Sequence, residues 1–193
     1  MFVIGVDIAY KKSIPLWSLN KRGKTESIMQ VTPGSDIYST TSTICDILKD
    51  WKTKRGETVD VLVLGESAVM RGNLPQAYMM ARFGAMLEKG VRDLGWTYFS
   101  VHPNAWQAAL LHPKRGDNRK KLSKEVAESR TGQHLPTDDL ADAANIAHFG
   151  FLYRKEILAC LRNGDKLRIR DGQAKSVPGG TRTIRKSLVQ EPA

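Results

Sequence analysis

Four acidic residues stand at positions where folding can bring their carboxylates together. Asp7 and Glu66 each end a short apolar run of the kind that forms a buried strand. Asp139 and Asp142 are three residues apart, which puts both on one face of a helix. If the two strands are parallel neighbours, Asp7 and Glu66 emerge at the same carboxyl edge, where open α/β sheets place their sites. The spacing therefore predicts that four carboxylates converge.

Carboxylates that converge raise one another's pKa, so the predicted cluster needs cations to stay ionised. Mg²⁺ prefers carboxylate oxygen and leaves part of its coordination shell to water and substrate phosphate. Two such ions about 4 Å apart activate a water and stabilise the leaving oxygen of an in-line phosphodiester displacement. The predicted chemistry is therefore metal-dependent cleavage of a phosphodiester.

Each acid also has a simpler explanation when it is taken alone. Asp7 and Glu66 are then ordinary acids at strand ends. Asp138, Asp139 and Asp142 are favoured near a helix N-terminus by the helix dipole, with no function at all. The prediction of a site depends on their joint order, in which a strand-end Asp and a strand-end Glu precede a helical Asp-x-x-Asp.

The surplus of positive charge lies in two segments. The chain has 193 residues, with 30 Lys and Arg against 20 Asp and Glu and a formal net charge of +10. Residues 114–124 and 162–193 each carry a net charge of +5, so the rest of the chain is balanced. Clustered positive charge predicts a polyanionic partner, most commonly nucleic acid. The predicted DNA contacts are the six basic residues of the first segment: Lys114, Arg115, Arg119, Lys120, Lys121 and Lys124.

Composition and motifs argue against several other classes of protein. With 41% hydrophobic residues the chain can bury a core, which excludes wholesale disorder. The lack of a long apolar stretch and of a signal peptide predicts a cytoplasmic protein without a membrane partner. Cys45 and Cys160 are too few for a disulfide framework or a thiolate zinc site. No GxxxxGK or GxGxxG pattern supports a nucleotide cofactor.

Hydrophobic periodicity predicts strands that first meander and then alternate with helices. Strands are predicted at 2–6, 14–19, 25–31, 59–64 and 96–101. Helices are predicted at 37–53, 74–94, 103–111, from the basic segment through 130, and at 138–161. Ser35 and Asp36 stand at the N-cap position of the first helix. The pattern predicts an α/β protein with a mixed sheet and helices packed on it.

The predicted domain spans residues 1–162, and a basic, flexible tail spans 163–193. The tail is rich in Gly, Lys, Arg and Ser and has no sustained periodicity. It is either a non-specific DNA clamp or a soluble end, and the sequence favours neither.

The predicted helix at 74–94 is apolar nearly all round in its central part, which a one-sided surface helix is not. One face is predicted to pack on the sheet. Another face either meets the same helix of a partner, with Gly84 allowing close approach, or is buried within one chain. A two-fold dimer would bring two active sites to opposed strands of a nucleic acid with similar two-fold symmetry.

Three motifs in register resemble those of RuvC-type Holliday junction resolvases. VIGVD at 3–7 and VLVLGE at 61–66 are similar to the family's first and second motifs, and DLADAANIAH at 139–148 is similar to its final helix. The order and spacing match over about residues 1–160. The resemblance implies a ribonuclease H-like fold, with a mixed five-stranded sheet flanked by helices, and the basic C-terminal tail lies outside the family domain. It also implies a homodimer that resolves four-way DNA junctions by Mg²⁺-dependent paired nicking, in recombination and repair.

The resemblance implies roles for individual residues as well. The family's functional lysine corresponds to Lys120 or Lys121, which would stabilise the charge that develops on the phosphate. Asp138 has no counterpart in the family and is predicted to cap the last helix. Two Mg²⁺ ions per site are implied, with Mn²⁺ as a substitute. Their ligands correspond to four acids: Asp7, Glu66, Asp139 and Asp142.

Two departures from the family pattern point to a divergent member of the phage type, in a bacterial cell or a phage-infected host. Ile8 and Ala9 stand where bacterial members have Pro-Gly, and Val69 stands where they have a base-stacking Phe. Two alternatives stay open. One is a ribonuclease H-like nuclease that cleaves flaps, general branches or RNA–DNA hybrids. The other is a non-catalytic protein that binds branched DNA.

Overall fold

The computed structural model describes residues 1–8, 13–56, 59–67, 74–170 and 173–177. The strands in these ranges are β1 (Phe2–Val6), β2 (Ile14–Leu19), β3 (Thr25–Val31), β4 (Val61–Glu66), β5 (Thr97–Val101), β6 (Lys166–Arg170) and β7 (Gln173–Val177). The helices are α1 (Ile37–Arg55), α2 (Leu74–Asp93), α3 (Pro103–Leu110), α4 (Arg119–Thr131), α5 (Asp138–Leu152) and α6 (Arg154–Asn163).

The first five strands form one mixed sheet in the spatial order β3-β2-β1-β4-β5. The first three strands are antiparallel neighbours, while β4 runs parallel to both β1 and β5. One face packs against α1 and α2, and the other packs against α3 and α5, with α4 lying on α5. The predicted mixed five-stranded sheet flanked by helices is therefore confirmed.

The helix α5 lies directly on the backbone of β1 because a glycine faces it. A Cβ atom at Gly5 would lie 2.3 Å from the carbonyl oxygen of Ala143 and 2.4 Å from the amide nitrogen of Ala147. Further along the helix, a Cβ atom at Gly150 would lie 2.9 Å from Val3. Because later helix residues meet earlier strand residues, α5 runs antiparallel to β1. Its N-terminus therefore lies at the carboxyl end of that strand.

The predicted helix starts are largely confirmed by the caps that the structure contains. Asp36 caps α1 and accepts hydrogen bonds from the backbone of Tyr38 and Ser39, both at 2.8 Å. The Ser39 hydroxyl accepts from the Asp36 backbone, which completes a capping box. Pro103 lies in the first turn of α3, where its missing amide hydrogen costs nothing.

The prediction of one continuous helix over 138–161 is wrong, because the structure has two helices there, α5 and α6. Tyr153 leaves helical geometry at φ −106° and ψ 19°, and its ring packs on Phe149 with 5.0 Å between centroids. Beyond Tyr153, α6 buries Ile157 and Cys160.

The helix α2 is only partly buried, although its composition is largely apolar. Its buried face consists of Ala77, Phe83, Leu87 and Val91, which pack toward α1 and β5. Leu74 and Tyr78 at its start are exposed at 66% and 60%. The predicted packing of one face on the core is confirmed, and the contact with a second copy stays a prediction.

Residues 166–177 were assigned to the tail by composition, yet they contain two strands. β6 and β7 pair in an antiparallel hairpin that contacts α6 and α3. Leu167 packs against the same cluster of buried residues as Trp106. Residues 178–193 and Val69 lie outside the described residues.

The described helices include none with the length and apolar character that a membrane span requires. Both cysteines are free thiols, and Cys160 is buried. The four tryptophans are at most 6% exposed and belong to the core.

Candidate active site

The sheet register brings the two strand-end acids together. Val6 pairs with Gly65 in the parallel ladder of β1 and β4, so the next residues, Asp7 and Glu66, are neighbours on strands about 4.8 Å apart. Leu64 packs on the α5 side of the sheet, and alternation along β4 puts Glu66 on that side too. Asp7 is 7% exposed. Both acids lie at the carboxyl edge of the sheet.

The other two acids lie in the first turns of α5, whose N-terminus reaches the same edge. Thr137, not Asp138, caps this helix, since its hydroxyl accepts a hydrogen bond from the Leu140 amide at 3.2 Å. The prediction that Asp138 is the cap is therefore wrong. Thr137 has the extended backbone that a cap needs, whereas Asp138 is already helical and pairs with Lys120.

Glu66 is largely buried beside an indole. Trp106 of α3 donates a hydrogen bond from Nε1 to Glu66 Oε1 at 2.8 Å. The pKa of Glu66 is raised to about 7, mainly by burial; the Trp106 hydrogen bond opposes the rise and the negative charge of Asp142 adds to it. Glu66 at the end of β4 and Asp142 on α5 are therefore close enough to interact electrostatically.

Asp142 is perturbed in the same direction. Burial raises its pKa to about 6, and the charges of Asp139 and Asp138 add to the rise. The Ser123 hydroxyl, which donates to Asp142 Oδ1 at 2.5 Å, and the charge of Lys120 both lower this pKa. Burial is the main cause at both acids, so the surroundings of Glu66 and Asp142 at this edge of the sheet favour their protonated forms.

The donor set fits a hard divalent cation, although the carboxylates are not gathered into a coordination shell. Within the described ranges, no three side chains of His, Cys, Asp or Glu form a group that could hold an ion. All four predicted ligands offer oxygen, which suits Mg²⁺ or Mn²⁺ and not a thiolate-binding metal.

The basic segment forms a turn and the start of a helix. Asp117 Oδ2 accepts from the Lys114 amide at 2.6 Å, and Asn118 caps α4 by accepting from the Lys121 amide at 3.2 Å. Arg119 donates to Gln107 Oε1 at 3.0 Å, which ties α4 to α3. Residues 114–121 are all exposed, as a nucleic-acid contact requires.

The two candidate lysines point to different neighbours. Lys120 Nζ lies 3.6 Å from Asp138 Oδ2, and its charge acts on Asp142. Lys121 Nζ lies 3.8 Å from Glu125 Oε1, on its own helix. Lys124 is half-buried, and its charge acts on Glu128. Of these lysines, Lys120 is the one whose charge reaches an acid of the site.

Sequence reasoning missed three neutral neighbours of the acids. Trp106 was assigned to the core, and Ser123 and Asn145 were given no role. Asn145 carries the one available signal, because it is a polar residue in an otherwise small and apolar run, three residues after Asp142. Ser123 lies three residues after Lys120, on the same face of a helix.

No protein-family model matches this sequence, and no curated protein matches it significantly. Solved structures do match it. Thermus thermophilus RuvC in complex with a Holliday junction substrate superposes with a TM-score of 0.64 at 15% identity, covering 92% of this chain and 99% of that chain. Thermus thermophilus RuvC also superposes with a TM-score of 0.62 at 16% identity, covering 92% and 100%.

A match over 92% of 193 residues extends beyond the length of the predicted domain, 1–162, and so includes part of the segment predicted as a tail. Identities this low show likeness of fold alone. The chain has the fold of RuvC, which confirms the predicted ribonuclease H-like class.

Proposed function

We propose that this protein is a divalent-metal-dependent endonuclease that resolves four-way DNA junctions by paired nicking. The observation that carries the proposal is the parallel register of β1 and β4, which makes Asp7 and Glu66 neighbours at the carboxyl edge of the sheet, where α5 begins. Open α/β sheets place their sites at this edge, and the raised pKa values of the buried acids Glu66 and Asp142 support a functional site. The fold is shared with a protein that was solved with a Holliday junction substrate.

The proposed ligands of the cations are the four acids Asp7, Glu66, Asp139 and Asp142. Mg²⁺ is the proposed ion, with Mn²⁺ as a substitute, because the ligands offer only oxygen. When two ions are bound, they supply an activated water and neutralise the leaving oxygen of a phosphodiester. The chain itself orients two of these acids, since Trp106 and Ser123 each donate a hydrogen bond to one oxygen of Glu66 and Asp142 respectively.

The basic segment is the proposed contact for the DNA backbone. Lys120 is the proposed residue for the charge that develops on the phosphate, because it is the lysine near Asp138 and Asp142. Lys114, Arg115, Arg119, Lys121 and Lys124 are the proposed guides of the flanking phosphates. Such contacts position the DNA without reading its sequence.

The proposed assembly is a homodimer, because resolution of a four-way junction requires two nicks on opposed strands. Leu74 and Tyr78, which α2 leaves exposed, are available for the dimer contact. The proposed setting is the cytoplasm of a bacterial cell or of a phage-infected host.

The proposal is tested with the wild-type protein and Asp7→Asn on four substrates in Mg²⁺. The substrates are a four-way junction, a flap, an RNA–DNA hybrid and a linear duplex of the same sequence. We expect wild type to make paired, symmetric nicks in the junction alone. Asp7→Asn should bind the junction in Ca²⁺ with unchanged affinity and cleave it at least 100-fold more slowly.

Any other outcome would indicate a different function for this protein. Cleavage of the flap or hybrid in preference to the junction would indicate a ribonuclease H-like nuclease of other specificity. Binding of the junction without cleavage in Mg²⁺ or Mn²⁺ would overturn the enzyme proposal and leave a protein that binds branched DNA. Cleavage by Asp7→Asn at the wild-type rate would exclude the proposed site.

A further inference from the structure

A buried chain of hydrogen bonds connects the basic helix α4 to the acid Asp142. Asn145 and Ser123 are 0% and 2% exposed. Asn145 Nδ2 donates to Ser123 Oγ at 2.9 Å, and Ser123 Oγ donates to Asp142 Oδ1 at 2.5 Å. Asn145 Nδ2 also donates to the backbone carbonyl of Ser123 at 2.9 Å, so the amide is held at two points.

The direction of donation along these hydrogen bonds is set by the groups at the two ends. A backbone carbonyl can only accept, so the side of the Asn145 amide that faces Ser123 must be the nitrogen. The Ser123 hydroxyl therefore accepts from Asn145 and has its single proton left for Asp142. An ionised Asp142 can only accept, which matches the proton it is offered.

Asn145 costs stability at this buried position, so packing in the core does not by itself explain its presence. Asn145 Oδ1 is buried and has no hydrogen-bond partner among the described residues. A buried polar atom without a partner is destabilising, whereas an apolar side chain of similar shape would avoid this cost. The two hydrogen bonds to Ser123, and not the packing of a core side chain, therefore account for an amide at this position.

We infer that Ser123 and Asn145 are positioning residues, which hold the Asp142 carboxylate in one orientation for a divalent cation. This inference rests on the proposed function, because Asp142 is a proposed ligand. Ser123 fixes the carboxylate through Oδ1, and Asn145 acts through the direction it gives the Ser123 proton. Partners that orient metal ligands in this way typically contribute about 10- to 100-fold in metal affinity.

The test measures Mn²⁺ affinity by titration calorimetry and the Mg²⁺ concentration that half-activates junction cleavage. We expect Ser123→Ala to weaken both by about 10- to 100-fold. Ser123→Thr keeps the hydroxyl and should restore most of the affinity. Ser129→Ala, which removes an exposed serine from the same helix, is the matched control and should change neither.

A second variant separates positioning from a purely structural role. Asn145→Leu removes the unsatisfied oxygen, so its melting temperature should not fall, while its metal affinity should. Added to Ser123→Ala, it should cause little further loss of metal affinity, because Asn145 acts through Ser123. A structural role predicts instead that metal affinity and melting temperature fall together. If Ser123→Ala does not fold, Asn145→Leu and Ser123→Thr provide the same comparison.

The outcomes distinguish this inference from the proposed function. Wild-type metal affinity in Ser123→Ala, with metal-dependent cleavage intact, would overturn the inference and leave the proposed function standing. Additive losses in the double variant would overturn the role assigned to Asn145. If the wild-type protein neither binds Mn²⁺ nor cleaves in any metal, the proposed function fails and this inference fails with it.

Discussion

The indole of Trp106 donates a hydrogen bond to Glu66 across 2.8 Å and joins α3 to the end of β4. Trp106 is fully buried, so its N–H is aimed at the acid by packing. The hydrogen bond stabilises the ionised carboxylate, while burial favours the protonated form and raises the pKa of Glu66 to about 7. The protonation of Glu66 near neutral pH is therefore governed by its buried surroundings.

Trp106→Phe should make cleavage more sensitive to acid. The variant keeps most of the ring volume but loses the donor, so the pKa of Glu66 should rise above its present value. A hydrogen bond to a charged group is worth roughly 2 kcal/mol, so the acidic limb of the pH–rate profile should move up by about 1.5 pH units. The measurement is kcat/KM for junction cleavage across pH at a Mg²⁺ concentration below saturation, where protonation of Glu66 competes with binding of the ion.

Trp17→Phe is the matched control for that experiment. Trp17 is equally buried, and its indole N–H has no hydrogen-bond partner among the described residues. Its replacement should leave the acidic limb where it is in wild type. A profile for Trp106→Phe that superposes on the wild-type profile would show that the hydrogen bond does not set the protonation of Glu66.

Glu66→Gln should change how the stability of the metal-free protein depends on pH. The pKa of Glu66 is about 7 when folded, against an ordinary value of 4.5. Between these values the folded state binds more protons than the unfolded state, so the contribution of Glu66 to stability falls as pH rises. Wild type should lose a few kcal/mol relative to Glu66→Gln over this range, because each pKa unit is worth about 1.4 kcal/mol.

The measurement is urea unfolding in EDTA at about pH 5 and about pH 8. His148 acts in the opposite sense, because burial lowers its pKa to about 4 and its contribution is lost as pH falls. Both proteins contain His148, so the difference between them cancels its effect. Mg²⁺ should stabilise wild type more than Glu66→Gln at the higher pH. Equal pH dependence in the two proteins would contradict the prediction.

Replacement of Lys120 and Lys121 by Ala should weaken the dependence of junction binding on salt. Each lysine that neutralises a phosphate contributes about −0.9 to the slope of log K against log salt concentration, so the double variant should lose roughly 1.8. Lys120→Ala alone should also slow cleavage at saturating protein, because its charge acts at Asp142. Lys121→Ala alone should affect binding only.

Lys54→Ala combined with Lys89→Ala is the control of equal charge. Both lysines are exposed and form ion pairs with Asp50 and Asp93 on their own helices. Their removal should leave the salt slope unchanged. An unchanged slope in the Lys120 and Lys121 variant would show that α4 does not contact phosphate.

Two truncations should separate the β6–β7 hairpin from the residues that follow it. Removal of 178–193 takes away Arg182, Arg185 and Lys186, and should weaken junction binding while cleavage at saturating protein is unchanged. Removal of 164–193 also takes away Leu167 from its contact with the buried cluster, and should lower the melting temperature by several degrees. Melting curves and binding isotherms for both proteins provide the measurement. Equal melting temperatures would show that the hairpin does not stabilise the domain.

The sequence predicted the elements that depend on local pattern. The continuous apolar runs of β1 and β4 predicted buried strands, and the three- and four-residue spacing of α1 follows the helical period of 3.6 residues. The structure confirms all three elements, with β4 two residues later than predicted. Asp36 was predictable as a cap because its partners are two and three residues away. The end of α5 at Tyr153 was not predictable, because the turn depends on packing against distant residues.

By itself, the sequence determined which residues end the strands and which face of α5 carries its acids. Only the tertiary structure decided that Val6 pairs with Gly65, which makes Asp7 and Glu66 neighbours. It also decided that Trp106 and Ser123 meet the acids from segments 40 and 19 residues away in the chain. Periodicity reports the neighbours of a residue on its own strand or helix, whereas protonation and orientation of a carboxylate depend on the groups that the fold brings against it.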